Sequence, residues 1–152
     1  MRQAGFSMIE LMIALAIMGI VAVLGYPYVS SYLQAARLRA GAEELITVIN
    51  GARQLAIARN TNVCVMLNAN AATYRTGVTP GCAGGTLYTG TGTAADGTMT
   101  LQNTVQITGT TANVIFSSLG AATTAGTYTV HDPTSGNNLS VVVSASGRVR
   151  IQ

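Results

Sequence analysis

Residues 5–12 read Gly-Phe-Ser-Met-Ile-Glu-Leu-Met and open a long apolar run. Between Phe6 and Val29 the only side chain that is charged at neutral pH is Glu10, and Leu11–Val29 is 19 residues without a charge. At about 1.5 Å per residue, a helix of that length measures about 28 Å, which is close to the hydrocarbon thickness of a bilayer. The stretch therefore predicts a membrane-spanning helix near the N-terminus.

Two simpler interpretations of this run account for it less well. A secretory signal has about 7–15 apolar residues before its cleavage site, and this run is longer and continues into a patterned helix. A plain membrane anchor leaves Glu10 unexplained, because a carboxylate in an apolar span costs up to about 3 kcal/mol. The simplest role for Glu10 is to lie in the first helical turn, where a negative charge meets the helix dipole favourably.

The same residues resemble the class III signal of type IV prepilins and type II secretion pseudopilins. In that signal a short basic leader ends in Gly, Phe follows, and Glu comes four residues after Phe; the matching residues are Gly5, Phe6 and Glu10. The resemblance covers about residues 1–60. It implies that a prepilin peptidase cuts between Gly5 and Phe6, methylates the new Phe6 amine and leaves the apolar segment in place.

The resemblance also gives Glu10 a role in assembly. A carboxylate in a low-dielectric helix bundle needs a cationic partner, and the family's partner is the N-terminal amine of a neighbouring subunit. Four residues are about one helical turn, so Glu10 can set the axial register between neighbours. The implied partners are the prepilin peptidase, other pilins or pseudopilins, and an inner-membrane assembly platform.

The helix is predicted to continue to about Asn60. Pro27 interrupts its hydrogen-bond ladder and is expected to bend or open it locally. Tyr26, Tyr28 and Tyr32 cluster where the span would leave the membrane, as an aromatic belt does. Beyond them apolar residues recur at helical spacing, which predicts an amphipathic second half laid against a globular head.

After about residue 60, Thr, Gly, Ala and Asn dominate, and short β-branched segments alternate with turn residues. This pattern predicts strands separated by turns. The predicted strands are 62–67, 73–77, 86–89, 105–108, 113–116, 126–131, 138–144 and 148–151. The turn residues of 132–137 are predicted to join two of these strands into a hairpin. The Thr/Gly-rich segment 84–111 is predicted to be an exposed loop region with weak strands.

The predicted fold is α+β and pilin-like: a long N-terminal transmembrane-plus-amphipathic helix packed on an antiparallel β-sheet head. The expected divisions are a cleaved leader at 1–5, the helix at 6–60 with its membrane span at 6–29, and a periplasmic head at 61–152. The resemblance implies a single-pass protein of the bacterial inner membrane that is assembled into a periplasmic or extracellular filament.

Cys64 and Cys82 lie 18 residues apart in the predicted periplasmic head, a compartment that favours disulfides. They are a candidate disulfide, with two free thiols as the alternative. Closing a loop of that size stabilises a fold by about 3 kcal/mol in the chain-entropy model. Major type IV pilins of the commonest kind place their disulfide near the C-terminus, so this position argues against the major subunit.

Four looser stretches resemble GspH/FimT-type minor pilins. They are residues 45–60, the Phe-Ser-Ser-Leu-Gly of 116–120, the strand near 127–130, and residues 141–150, which end in Gly-Arg-Val-Arg.

Arg148 and Arg150 would share one face of a C-terminal strand, with Val149 buried on the other. Two guanidinium groups about 7 Å apart match the spacing of successive phosphates, and some FimT-like minor pilins are associated with DNA uptake through such a pair. The pair is therefore a candidate DNA-binding site. The alternative is that it keeps an edge strand solvated and discourages sheet-to-sheet pairing.

The composition argues against other classes. Charged residues make up 9% of the 152 residues, against about a quarter in soluble domains, which argues against charged tails, histone-like binders and coiled coils. His131 is the only His, so no zinc cluster is predicted, and no nucleophile-elbow motif accompanies it. We predict no cofactor and no catalytic residue.

The sequence therefore predicts a non-enzymatic minor pilin or pseudopilin of the tip or priming complex of a type IV pilus or a type II secretion filament. The alternatives are a major pilin, a DNA-binding minor pilin for natural transformation, and a membrane-anchored hydrolase. Secretion and pilus machinery are not distinguished.

Overall fold

The computed structural model describes residues 6–103, 105–108 and 113–152. The predicted leader, including Gly5, lies outside the described residues. One helix, α1 (Met8–Arg59), precedes the strands. The strands are β1 (Val63–Asn68), β2 (Ala71–Thr79), β3 (Ala83–Leu87), β4 (Thr98–Thr100), β5 (Gln106–Thr108), β6 (Val114–Phe116), β7 (Ala122–Thr124), β8 (Gly126–His131), β9 (Asn138–Val143) and β10 (Val149–Ile151).

The chain forms two compact units, Met1–Ala35 and Ala36–Gln152. The division falls inside α1. The reason is burial: the second half of α1 contributes side chains to the core of the second unit, and the described side chains of the first unit are largely exposed.

In the first unit, α1 runs through Pro27 without a break in helical assignment. Proline lacks the N–H that would bond to the carbonyl four residues earlier, so one helical bond is lost there. The hydroxyls of Ser30 and Ser31 donate to the carbonyls of Pro27 and Tyr28, each at 3.0 Å. These bonds lie in the turn that follows the proline. They do not replace the bond lost at Pro27, which would have been made to the Val23 carbonyl.

In the second unit, one face of α1 is fully buried at intervals that alternate between four and three residues, as the predicted stripe requires. The buried face comprises Leu38, Ala42, Leu45, Ile49, Ala52 and Ala56. Together with Phe116, Tyr128 and Val141 from the strands, these side chains form one hydrophobic core. The described part of the chain therefore has the predicted architecture of a helix packed on antiparallel sheet.

The strands form two antiparallel sheets. The six-stranded sheet has the order β3-β2-β1-β6-β7, with β4 also paired to β2, and the four-stranded sheet has the order β10-β9-β8-β5. A bridge between Ala69 and Ile107 joins them. The predicted hairpin is β8–β9, in which His131 pairs with Asn138 around a turn.

The segment 84–111, of which residues 104 and 109–111 lie outside the described residues, differs most from its prediction. Leu101, Val105 and Ile107 are buried, so the predicted exposed loop is wrong at these positions. Gly41 explains the burial of Val105, because a Cβ at Gly41 would stand 2.5 Å from Val105 Cγ2. The missing side chain on α1 leaves the space that Val105 fills.

Candidate functional site

The first turn of α1 contains the predicted assembly residue. Ser7 N–H donates to Glu10 Oε2 at 3.3 Å, and Leu11 N–H donates to the Ser7 carbonyl at 3.3 Å. Ser7 is thus the N-cap, and Glu10 holds the third helical position, from which an acidic side chain reaches back to the N-cap amide. A carboxylate accepts further hydrogen bonds beyond this one, so the cap leaves acceptor capacity for a partner.

The surface around Glu10 is apolar and exposed. Phe6 is 85% exposed and Ile17 is 57% exposed, and the large apolar side chains between them are similarly open. The helix is long and apolar enough to cross a membrane. A continuous apolar surface of this extent is stable only in lipid or against other apolar surfaces.

Tyr26, Tyr28 and Tyr32 are exposed on α1, at the end of the predicted span. Their phenol rings combine an apolar body with a polar tip, which suits the boundary between hydrocarbon and water.

The second unit contains the disulfide of Cys64 and Cys82. Cys64 lies in β1, and Cys82 lies in the turn between β2 and β3, with a left-handed φ of 61°. Both side chains are buried with Val78 and Ile115 in a small cluster of their own. The bond therefore fixes the far end of the β2–β3 hairpin to the central strand of the six-stranded sheet.

Glu44 has a structural role that the sequence did not reveal. Its two carboxylate oxygens accept from Gln102 N–H at 3.1 Å, and Oε2 also accepts from Asn103 Nδ2 at 3.0 Å. Glu44 therefore holds the segment after β4 against α1. The sequence alone does not link Glu44 to this segment, because Gln102 lies 58 residues further along the chain.

A groove of about 830 Å³ lies beside Glu44 between α1 and the segment that runs from β3 to the residues after β4. Tyr74 lies in its wall and donates from its hydroxyl to the Val48 carbonyl. Burial, with a smaller contribution from Tyr88, raises the pKa of Tyr74 to about 12. The Arg59 guanidinium lies 4.9 Å from the Tyr88 ring centre, within the range of a cation–π contact.

Arg148 and Arg150 are both exposed, and β10 is the edge strand of its sheet. Val149 and Ile151 pack on the core from the opposite face. Val149 is half-buried, not fully buried as predicted, because an edge strand is covered by a neighbour on one side only. Exposure and alternation suit both predictions for the pair, and the edge position is the one that the solvation alternative requires.

The His131-Asp132 pair has turn roles. His131 Nδ1 lies 2.8 Å from Asn138 Oδ1, its cross-strand neighbour. The Asp132 carboxylate accepts from Thr134 N–H at 2.9 Å and from the Ser135 hydroxyl at 2.8 Å, and these bonds lower its pKa. Both side chains therefore stabilise the β8–β9 hairpin.

An exposed apolar helix capped by Ser7 and Glu10, continued by an amphipathic half that packs on antiparallel sheet, defines a pilin-like protein. A profile of the prokaryotic N-terminal methylation motif matches residues 1–26, and a profile of type II transport protein GspH matches residues 41–147. The chain belongs to the GspH family and is a GspH-type minor pilin or pseudopilin of type II secretion or of a type IV pilus.

Solved structures share the fold at low identity. The type IV minor pilin FimU of Pseudomonas aeruginosa is 15% identical over 80% of this chain and 92% of its own, with a TM-score of 0.51. The minor pseudopilin EpsH from the type 2 secretion system of Vibrio cholerae is 14% identical over 76% and 96%, with a TM-score of 0.55. Escherichia coli GspH is 15% identical over 77% and 88%, with a TM-score of 0.57. No curated protein sequence matches the chain significantly.

Proposed function

We propose that residues 6–29 anchor the chain in the bacterial inner membrane and that residues 61–152 belong to a periplasmic head. After removal of residues 1–5, the chain enters the tip or priming complex of a filament as a structural, non-enzymatic subunit. The prepilin peptidase and the inner-membrane assembly platform are its proposed processing and assembly partners.

One observation carries this proposal: Glu10, the only side chain of residues 6–29 that is charged at neutral pH, lies one helical turn from the proposed new N-terminus. In lipid or in a helix bundle, a carboxylate needs a cation close by. Cleavage before Phe6 creates an amine that supplies that cation on a neighbouring subunit. When the chain moves from the membrane into the filament, neighbouring helices replace lipid on the apolar surface, and Glu10 pairs with the amine of a neighbouring subunit.

The disulfide supports a minor subunit. It joins β1 to the β2–β3 turn, whereas major type IV pilins of the commonest kind have their disulfide near the C-terminus. In a filament, we therefore expect few copies of this chain. Quantitative mass spectrometry of purified filaments tests this role, and filaments composed mainly of this chain would refute it.

Mass spectrometry of the mature chain tests the processing step. We expect a start at methylated Phe6, and we expect a Gly5 substitution to leave the five-residue leader attached. A mature chain that starts beyond Tyr32 would overturn the proposal, because the apolar segment would then be a removed signal.

A further inference from the structure

Three of the stretches that resemble minor pilins meet at one place in the second unit. A Cβ at Gly120 would stand 2.8 Å from Ile57 Cδ1 and 3.0 Å from Arg53 Nε. A Cβ at Gly147 would clash with the Gly120 carbonyl and stand 3.2 Å from Arg53 Nε. Both glycines have a left-handed φ, 78° and 77°. Glycine at these two positions therefore lets two turns close over the last turns of α1.

The first of these turns holds an apolar side chain in water. Gly120 N–H donates to the Ser117 carbonyl and Ser117 N–H donates to the Ala121 carbonyl, each at 2.8 Å. Leu119, inside this hydrogen-bonded turn, is 88% exposed. Ile57, which Gly120 contacts, is 50% exposed. A single exposed leucine is ordinary, but here a fixed turn holds it next in the chain to Gly120, which packs against a second exposed aliphatic side chain, Ile57.

Arg53, which lies against the same glycine turn as Ile57, is a cation without an ion-pair partner among the described residues. Arg53 is half-buried, and its Nε is buried with no hydrogen-bond partner among the described residues. The ion pair found in the described part of the chain is Arg39–Glu43. Because Nε is covered, a docking partner would meet the rest of this half-buried side chain. A carboxylate is the strongest acceptor for a guanidinium. We call Leu119, Ile57 and Arg53 the Leu119 patch.

We propose that the Leu119 patch docks a different filament subunit, one that presents a carboxylate beside an apolar side chain. The inference rests on the proposed function, because it takes its partner from the subunits of the same filament. Leu119 and Ile57 would bury their exposed aliphatic surface, and the partner's carboxylate would pair with Arg53.

Charge argues against a second copy of this chain as the partner. Residues 36–152 contain seven arginines and four acidic side chains, so their side chains carry a net charge of +3. Each of the four carboxylates already has a partner within the chain. Glu43 pairs with Arg39, Glu44 with Gln102, Asp96 with Thr98, and Asp132 with Thr134.

The test compares Leu119→Glu with Leu119→Lys in the full-length chain, expressed in the bacterium with its own set of pilins. Both substitutions remove the same apolar contact, and they differ in the sign of the added charge. We measure the fraction of the chain recovered in assembled filaments relative to the membrane. Leu87→Glu and Leu87→Lys are the matched controls, since Leu87 is 43% exposed on β3.

We expect Leu119→Glu to reduce this fraction at least about fivefold, the size of a hot-spot substitution, because it repels the partner's carboxylate. Leu119→Lys should lie between Leu119→Glu and the wild type, and both Leu87 variants should assemble normally. All four variants should unfold at the wild-type temperature. Equal behaviour of the two Leu119 variants, or wild-type assembly of Leu119→Glu, would overturn the inference.

Glu10→Ala separates this inference from the proposed function. If Glu10→Ala loses assembly while Leu119→Glu keeps it, the Leu119 patch is not a docking surface and the proposed function stands. If Glu10→Ala assembles normally, only the charge-pairing role of Glu10 fails. If the wild-type chain itself is absent from filaments, the proposed function fails, and the inference that rests on it fails too.

Discussion

Residues 6–35 and residues 36–152 hold their apolar side chains in opposite ways. In the first region the large apolar side chains are exposed along the helix, and in the second the same helix buries Leu45, Ile49 and their neighbours in a closed core. One continuous helix therefore consists of a half that needs an external apolar environment and a half that supplies its own. The first half is suited to membrane and assembly, and the second half to folding.

The sharpest test of this difference is a matched pair of isoleucines on the same helix. Ile49 is fully buried and Ile17 is exposed. We expect Ile49→Ala to lower the free energy of unfolding by about 2–5 kcal/mol. We expect Ile17→Ala to leave it unchanged, because no core contact is lost. Denaturant unfolding of the full chain in detergent measures both, and equal losses would contradict the division.

Both cysteines of the disulfide lie in residues 36–152, the region that forms its own core. Removing the disulfide with Cys64→Ala and Cys82→Ala together should lower the free energy of unfolding by about 3 kcal/mol. The reason is that the unfolded chain is no longer restrained by the loop between the two cysteines, which lie 18 residues apart. Reductant should destabilise the wild type by a similar amount and leave the double variant unaffected. A wild type that is indifferent to reductant would show that the bond contributes nothing to stability.

Adjacent glutamates on α1 sharpen the comparison within the second region. Glu44→Ala removes the acceptor for Gln102 N–H and should lower the free energy of unfolding by about 1–3 kcal/mol. Glu43→Ala removes only the exposed ion pair with Arg39 and should cost at most about 0.5 kcal/mol. The same unfolding measurement distinguishes them, and equal costs would show that Glu44 does not hold the segment after β4.

The smallest effect on stability is expected at Arg148 and Arg150. Because both side chains are exposed, the double Arg→Gln variant should keep its stability within about 0.5 kcal/mol. A titration with duplex DNA then separates the two hypotheses for the pair. Phosphate contact predicts weak binding that is indifferent to sequence, with a salt slope of about 2–3, and loss of that binding in the variant. Unchanged affinity of the variant for DNA would show that Arg148 and Arg150 do not contact DNA and would favour the alternative, that they keep an edge strand solvated.

Local patterns in the sequence predicted the parts of the fold that depend on local physics. The apolar run, the helical stripe and the turn between β8 and β9 each act over a few residues, and the structure contains all three. The resemblance at Gly5, Phe6 and Glu10 added the family, because that motif combines residue types with fixed spacing.

The parts that the sequence did not predict depend on contacts between distant residues. β4 is a three-residue strand that exists because Ala71–Thr73 offers it a partner. Gly41 meets Val105, and Glu44 meets Gln102, across about sixty residues of chain. The Leu119 patch likewise required the structure, because Arg53 and Gly120 lie in separate motifs. Without a partner in view, Glu44 and Arg53 resemble ordinary surface charges.

The most direct test of the account is assembly of Glu10→Gln beside Glu10→Ala. Glutamine keeps a carbonyl oxygen that can accept from Ser7 N–H, so it preserves the cap and removes only the charge. We predict that both variants reach the membrane at the wild-type level, because each removes a costly charge from an apolar span. We predict that neither enters filaments, because the neighbouring amine loses its counter-charge. Normal filament incorporation of Glu10→Gln would show that Glu10 serves only as a helix cap and would contradict the account.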